Sequence, residues 1–156
     1  MEKTAEQLSV ERVIAIDASP ETVWQLLVDP EQARRWWGLG ATFDARPGGV
    51  FRMLVTPGNS AAGEFVEVDP PRRLVYTWGW EEGGGGPNVV PPGSTTVEID
   101  LIPEGRGTTL RLVHRGLPSQ ASAESHTGGW DHYLGRLRIA AAGGDPGPDP
   151  WLSGEM

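Results

Sequence analysis

The 156-residue chain contains no cysteine. That absence removes disulfides, thiolate nucleophiles and cysteine-ligated metals from consideration. Positive charge is scarce as well: 13 Lys and Arg stand against 21 Asp and Glu, a formal net charge of −8. Nucleic-acid affinity depends largely on Lys and Arg neutralising phosphates, so no nucleic-acid partner is expected. No apolar run approaches the roughly eighteen residues that a membrane helix needs. The opening MEKTAEQLS lacks the basic-then-apolar form of a secretory leader. The expectation is a cytoplasmic protein with no membrane partner. No internal repeat is found.

Glycine and proline, by contrast, are abundant, at 22 and 14 residues. Spread evenly they would suggest disorder, but they concentrate in Gly83–Gly93 (GGGGPNVVPPG) and in 143–150 (GGDPGPDP). One long flexible loop and one tail account for them. The remainder is long enough for a single domain with a substantial core. Its most informative stretch is Ser122–Ala142, where Trp130, Tyr133, Leu134, Leu137 and Ala141 recur at steps of three and four. That is the apolar stripe of an amphipathic helix. Ser122 is placed to cap its start, Glu124 suits the positive end of its dipole, and Gly143-Gly144 stops it.

Upstream, the chain reads mainly as strands. Residues 10–17 (VERVIAID) form the first, with Arg12, Ile14 and Ile16 on one face and Val13 and Ala15 on the other. Ser19-Pro20 then caps and opens a helix that groups Val23, Trp24 and Leu27. Asp29-Pro30 repeats the device for a second helix ending at Trp36, Trp37 and Gly38, with Gln32 positioned to complete a capping box. From Ala41 onward, six short segments bounded by Pro, Gly or Asp read as an antiparallel meander. Alternation groups Leu74, Tyr76, Trp78 and Trp80 on one face, Phe51, Met53 and Val55 on one face, and Leu110, Leu112 and His114 on one face.

The order β-α-α-β6-α resembles the helix-grip fold of the START and birch-pollen-allergen (SRPBCC) superfamily. The motifs ASPETVWQLLVDPEQARRWW, FDARPGGVFR, GEFVEVDPPRRLVYTW, TTLRLVHRGL and HTGGWDHYLGRL resemble one branch of it. That branch is named after the activator of the ninety-kilodalton heat-shock-protein ATPase. The resemblance runs from about Val10 to Ala142. It implies an α+β fold in which a seven-stranded curved antiparallel sheet wraps a long C-terminal helix and encloses a cavity for an apolar molecule. The helix pair would guard one end of that cavity. The expected organisation is an N-terminal extension over 1–9, one helix-grip domain over 10–142 and a Gly/Pro-rich flexible tail over 143–156. His114 and His126 resemble recurrent family positions and are expected to make hydrogen bonds that support the fold.

Candidate ligand contacts follow from these faces and that cavity: Trp37, Phe51, Met53, Tyr76, Trp78, Trp80, His126, Trp130 and Leu134. Aromatic walls with a few polar groups orient apolar ligands, although indoles also simply fill cores. Trp78 and Trp80 stand out because the polyglycine loop follows them directly. Catalytic signals are weak. His126 and His132 are six residues apart, on different faces of a helix, and no HExxH pattern occurs, so no metal site and no cofactor is expected. Asp44 to Gly49 reads as a tight turn, with Arg46 close enough to pair with Asp44. Glu64 and Glu67 point to opposite faces of a strand, and the Gly83–Gly86 run lacks the lysine of a phosphate loop.

Three functions are therefore compared. Non-catalytic binding of a small apolar or amphipathic molecule leads. A cyclase- or hydrolase-type enzyme using His126, Tyr76 or Glu64 is second, and the balance leans against catalysis. A chaperone-associated module is third, because the eukaryotic activators carry a separate N-terminal chaperone-binding domain and only nine residues precede the first strand here. A homodimer is compatible with the sequence, as the commonest oligomer, without being marked in it. Trp151 beyond the Pro/Gly linker is either a peg that docks back or part of a disordered tail, the second being the leading expectation.

Overall fold

A computed structural model describes residues 8–81 and 90–151. The elements run β1 (Leu8–Ile16), α1 (Pro20–Val28), α2 (Pro30–Ala33), β2 (Gly40–Phe43), β3 (Val50–Thr56), β4 (Asn59–Asp69), β5 (Arg73–Trp78), β6 (Thr95–Glu104), β7 (Gly107–Leu117) and α3 (Gln120–Ala141). The seven strands form one antiparallel sheet in the order β1-β7-β6-β5-β4-β3-β2. Register shifts interrupt the ladders at Leu8/Val10, Leu54/Thr56 and Phe65/Glu67. Such bulges bend a strand and sharpen its twist, and they help curve this open sheet. The fold is the α+β helix-grip arrangement that the family resemblance implies.

Local chemistry sets the helix boundaries. Ser19 Oγ accepts the Thr22 N–H at 3.2 Å and Pro20 occupies the first turn of α1. Asp29 ends α1 and caps α2, its Oδ1 accepting the Glu31 N–H at 2.9 Å. Gln32 does not close a capping box: its Oε1 accepts from the Arg35 guanidinium at 2.9 Å. Helix α2 also stops at Ala33, with Arg34 to Trp37 in turns before Gly38, whose φ of 81° suits glycine. The last helix begins three residues earlier than its sequence signals imply. Ser119, extended at φ −154°, caps it by accepting the Ser122 N–H at 3.1 Å, which leaves Ser122 inside the first turn and buried. The first strand likewise starts at Leu8, two residues before the expected Val10.

The core lies between the concave sheet face and the helices. Phe51, Met53, Phe65, Leu74, Tyr76, Leu110 and Leu112 face Leu26, Trp36, Trp130, Leu134 and Leu137 within one apolar cluster. Each such side chain contributes about 1.5–3 kcal/mol on burial. The opposite sheet face is a charge lattice. Arg73 reaches Asp100 at 2.9 Å and Glu67 at 3.0 Å, Arg115 reaches Glu98 at 2.9 Å, and Arg111 reaches Glu11 at 3.0 Å. Beneath these side chains Val75 and Val113 are buried. Arg12 ties β1 to α3 through Asp131 at 2.6 Å. Among the described residues no helix is long and apolar enough to cross a membrane.

Residues 143–151 depart from the expected flexible tail. They return along α3, where Arg136 donates to the Gly147 carbonyl at 2.9 Å. Asp149 is buried and accepts from Tyr133 Oη at 2.7 Å and His132 Nε2 at 2.8 Å. Trp151 stacks on the His132 ring, centroids 3.8 Å apart. One buried and one part-buried hydrogen bond, with a ring stack, outweigh what the Pro/Gly composition implies. The Gly83–Gly86 run and residues 152–156 lie outside the described residues.

Candidate functional site

A pocket of about 410 Å³ opens between the sheet and the N-terminal half of α3. Strand β5 delivers Trp78 to it by simple alternation, and Trp80 follows through an isolated bridge to Ala61. Gly79 between them is indispensable, because a Cβ there would collide with the Pro91 carbonyl. The turn after α2 contributes Trp37, and the β3–β4 hairpin contributes Val55, Thr56 and Asn59. Helix α3 supplies His126, Trp130 and Tyr133 at one-turn spacings, with Gly128 and Gly129 between them. Trp151, from the returning tail, completes the wall.

The aromatic groups pack as a unit. Trp37 is parallel to Trp78 at 6.0 Å between centroids and lies 5.6 Å from Trp130. Trp36 backs Trp37 at 4.5 Å, its own indole N–H donating to the Leu26 carbonyl at 2.8 Å. Arg136 Nε donates to the Trp36 carbonyl at 2.9 Å and so fastens this turn to α3.

Both histidines near the pocket are wired as neutral rings. Trp130 Nε1 donates to His114 Nδ1 at 3.0 Å, which assigns the proton to Nε2. His114 Nε2 then donates to Thr95 Oγ1 at 2.8 Å, and that hydroxyl donates to the Trp78 carbonyl at 2.7 Å. At His126 the tautomer is reversed: Nε2 accepts from Trp80 Nε1 at 3.0 Å, and Nδ1 donates to the Ser122 carbonyl at 2.8 Å. Burial pushes His114 well below its ordinary value, helped by the nearby His126. Burial also lowers His126, against the opposing pull of the Ser122 carbonyl. With both nitrogens of each ring committed to protein partners, these histidines orient the indoles of the wall.

Of the side chains the sequence singled out, Trp37, Trp78, Trp80, His126 and Trp130 line the pocket. Phe51, Met53, Tyr76 and Leu134 do not; they are buried in the closed core, where Phe51 stacks on Tyr76 at 4.2 Å. Alternation reports which face a residue takes, and both groups take the inner one. Position along the strand separates core from pocket: Phe51 and Met53 precede Val55 on β3, Tyr76 precedes Trp78 on β5, and the later residue of each lines the pocket. Glu64 is exposed and Tyr76 sealed, so neither serves as a polar group of the pocket. Gly128, Gly129, Tyr133 and Trp151 were missed as pocket residues, although a Gly-Gly pair inside a helical pattern is a legible signal. Among the described residues no group of three or more His, Asp or Glu side chains is placed to hold a metal.

Comparison with known proteins is consistent across sequence and fold. The family profile described as Activator of Hsp90 ATPase homolog 1-like protein matches residues 17–142. The human Activator of 90 kDa heat shock protein ATPase homolog 1 is 27% identical over 118 residues, which are 74% of this chain. The chain spans only 31% of that relative's length. The solution structure of an AHSA1-like protein from Rhizobium etli is 48% identical, with a TM-score of 0.76 over 100% of this chain and 96% of that one. CalU16 from Micromonospora echinospora is 31% identical, with a TM-score of 0.71 over 90% of this chain and 69% of that one. An Aha1 from Colwellia psychrerythraea, a dimer in solution, shares the fold at 18% identity, with a TM-score of 0.72 over 86% of this chain and 96% of that one.

Proposed function

The chain belongs to the Activator of Hsp90 ATPase homolog 1-like family, and from that premise we propose that it binds a small apolar or amphipathic molecule between sheet and helix. The observation that carries this reading is the pocket itself. Its volume of about 410 Å³ falls within the ~300–1,000 Å³ of small-molecule sites, and its wall is built from indoles with a few fixed polar groups. A domain that needed only a core would close this space, since interiors pack to crystal-like density. The histidines are held as hydrogen-bond acceptors for the wall tryptophans, which suits binding better than proton transfer. Trp37, Trp78, Trp80, His126 and Trp130 are the proposed contacts, joined by Tyr133, Gly129 and Trp151.

Native mass spectrometry of the protein purified from its own host, followed by extraction, tests the proposal. A stoichiometric adduct released by denaturation is expected. Protein that is ligand-free by this measure, and whose tryptophan fluorescence no apolar compound perturbs, would remove the reading.

A second reading, a chaperone-associated module, is favoured by the 27% identity to the human ATPase activator. It predicts that the purified chain binds the ninety-kilodalton chaperone and raises its ATPase rate. Binding without stimulation, or neither, would count against it.

A further inference from the structure

Residues 145–151 are held to the domain by polar contacts. None of them belongs to the apolar cluster of the core, and Asp149 is the one buried residue among them. A tail that needed only an anchor would bury an apolar side chain, because an ionised carboxylate is costly to take out of water. Here the carboxylate is the anchor. Its oxygens accept from Tyr133 Oη at 2.7 Å and His132 Nε2 at 2.8 Å, and its side chain is 1% exposed. Arg136 adds bonds to the Pro146 and Gly147 carbonyls at 3.4 and 2.9 Å, and the Trp151 ring, still 41% exposed, lies on His132. Parting this segment from α3 would therefore hydrate polar groups and one surface ring without opening the core, the condition for local rather than global unfolding.

The build of the segment suits movement as a unit. Pro146, Pro148 and Pro150 fix φ at every second position, and Asp145 Oδ1 closes a turn on the Gly147 N–H at 2.8 Å. The joint to the helix is of another kind. Gly143 and Gly144 donate to the Ala140 and Ile139 carbonyls at 3.1 and 2.9 Å, so they cap α3 and stay with it. Gly143 has a φ of 92°, and a stiff, proline-rich segment follows this glycine pair. Small residues at the end of an element, leading into a rigid body, are the usual construction of a hinge. The far end of the segment meets the pocket. Trp151 lines it beside Tyr133, and with Glu124, Ser125 and Gly128 it makes up the exposed part of the lining, which marks the mouth.

We propose that residues 145–151 are a hinged strap that lifts from α3 while the domain stays folded, carries Trp151 away from the mouth, and so sets the rate at which a molecule enters and leaves the pocket. Asp149 is its latch. Directional hydrogen bonds to a carboxylate suit this task better than an apolar anchor: they hold one position when made and give their groups back to water when broken. The control of access rests on the binding function proposed above; the lifting of the strap does not.

Two measurements on the full chain test this, one without a ligand and one with Nile red, a neutral apolar dye whose emission rises in dry surroundings. In Asp149→Ala the nuclear Overhauser contact between the Trp151 and His132 rings should be lost. Hydrogen exchange at the Leu112 amide, in β7 between β1 and β6, should meanwhile change less than about threefold. Stopped-flow mixing should show Nile red associating and dissociating faster, each by about tenfold or more, the factor that one lost charge-assisted hydrogen bond supplies. Trp151→Ala, which keeps the latch and removes the obstruction, should quicken both rates as well. Faster dissociation with unchanged association would make Trp151 a fixed wall and overturn the strap. Loss of Leu112 protection in Asp149→Ala would overturn it too, since the segment would then unfold with the core. Unchanged rates in both variants would remove the control of access and leave binding intact. A wild-type protein that takes up no Nile red would count against the binding function itself, and the control of access would fall with it.

Discussion

Single side chains in this protein are distinguished by where their hydrogen bonds go. Trp130 and Trp78 are both buried on the inner face, but the first donates to His114 and the second has no partner. Trp130→Phe therefore leaves His114 Nδ1 without its donor, whereas Trp78→Phe removes a group that is already unsatisfied. We expect Trp130→Phe to destabilise the fold by about 1–3 kcal/mol more than Trp78→Phe, measured by urea unfolding. The histidines also set a pH response. A folded-state value below the ordinary 6.5 means that the unfolded chain takes up protons first as pH falls. Stability is accordingly complete above about pH 6.5 and is lost on going below it, by up to about 1.4 kcal/mol per pH unit for each proton taken up. Chemical denaturation at pH 7.5, 6.0 and 5.0 would check this, and a flat profile would contradict the neutral wiring of both rings. The identities of these residues were legible in the chain; their partners were not, because Trp130 and His114 meet only when α3 lies on β7.

At the scale of elements, α3 shows a conflict between propensity and packing. Gly128 is exposed and a Cβ there meets nothing, so Gly128→Ala should raise stability by about 0.5–1 kcal/mol through helix propensity and loss of unfolded-state freedom. Gly79→Ala should do the opposite, because its Cβ collides with the Pro91 carbonyl and must force apart the segments that hold Trp78 and Trp80. Comparing the two variants by thermal unfolding tests whether these glycines serve different ends. The strands and the apolar stripe of α3 could be read from period-two and period-three-to-four patterns, since each follows from which face is buried. The start of α3 was misplaced because Ser119 and Ser122 are equally good caps in isolation. Only the extended backbone at Ser119 selects between them. Phe51 and Trp78 look alike in the same way, as aromatic residues on inner strand faces, although one closes the core and the other lines the pocket.

For the molecule as a whole, the returning tail couples the pocket to the C-terminal segment. Burial raises the Asp149 carboxyl, but hydrogen bonds from Tyr133, His132 and the Trp151 N–H outweigh it and hold the group below its ordinary 3.8. A depressed folded value means that this contribution is present above about pH 3.8 and is lost as pH falls further. Asp149→Asn at neutral pH should mimic that loss, since an amide cannot accept from Tyr133 and His132 as a carboxylate does. We expect faster proteolysis within residues 143–148 and a shifted Trp151 emission; unchanged cleavage would show that the stack on His132 suffices alone. Composition and periodicity by themselves marked the elements, seven strands, two capped helices and one long amphipathic helix, while the fold they build was what the family resemblance implied. Tertiary structure decided what pattern does not encode. Where the pocket opens along the strands decided which inner-face aromatics line it, and contacts between residues distant in sequence fixed the histidine tautomers. Side-chain pairing with α3 then drew in a tail whose Pro/Gly composition argues for disorder. Local patterns report which way a residue faces, and only the assembled fold sets what stands opposite it.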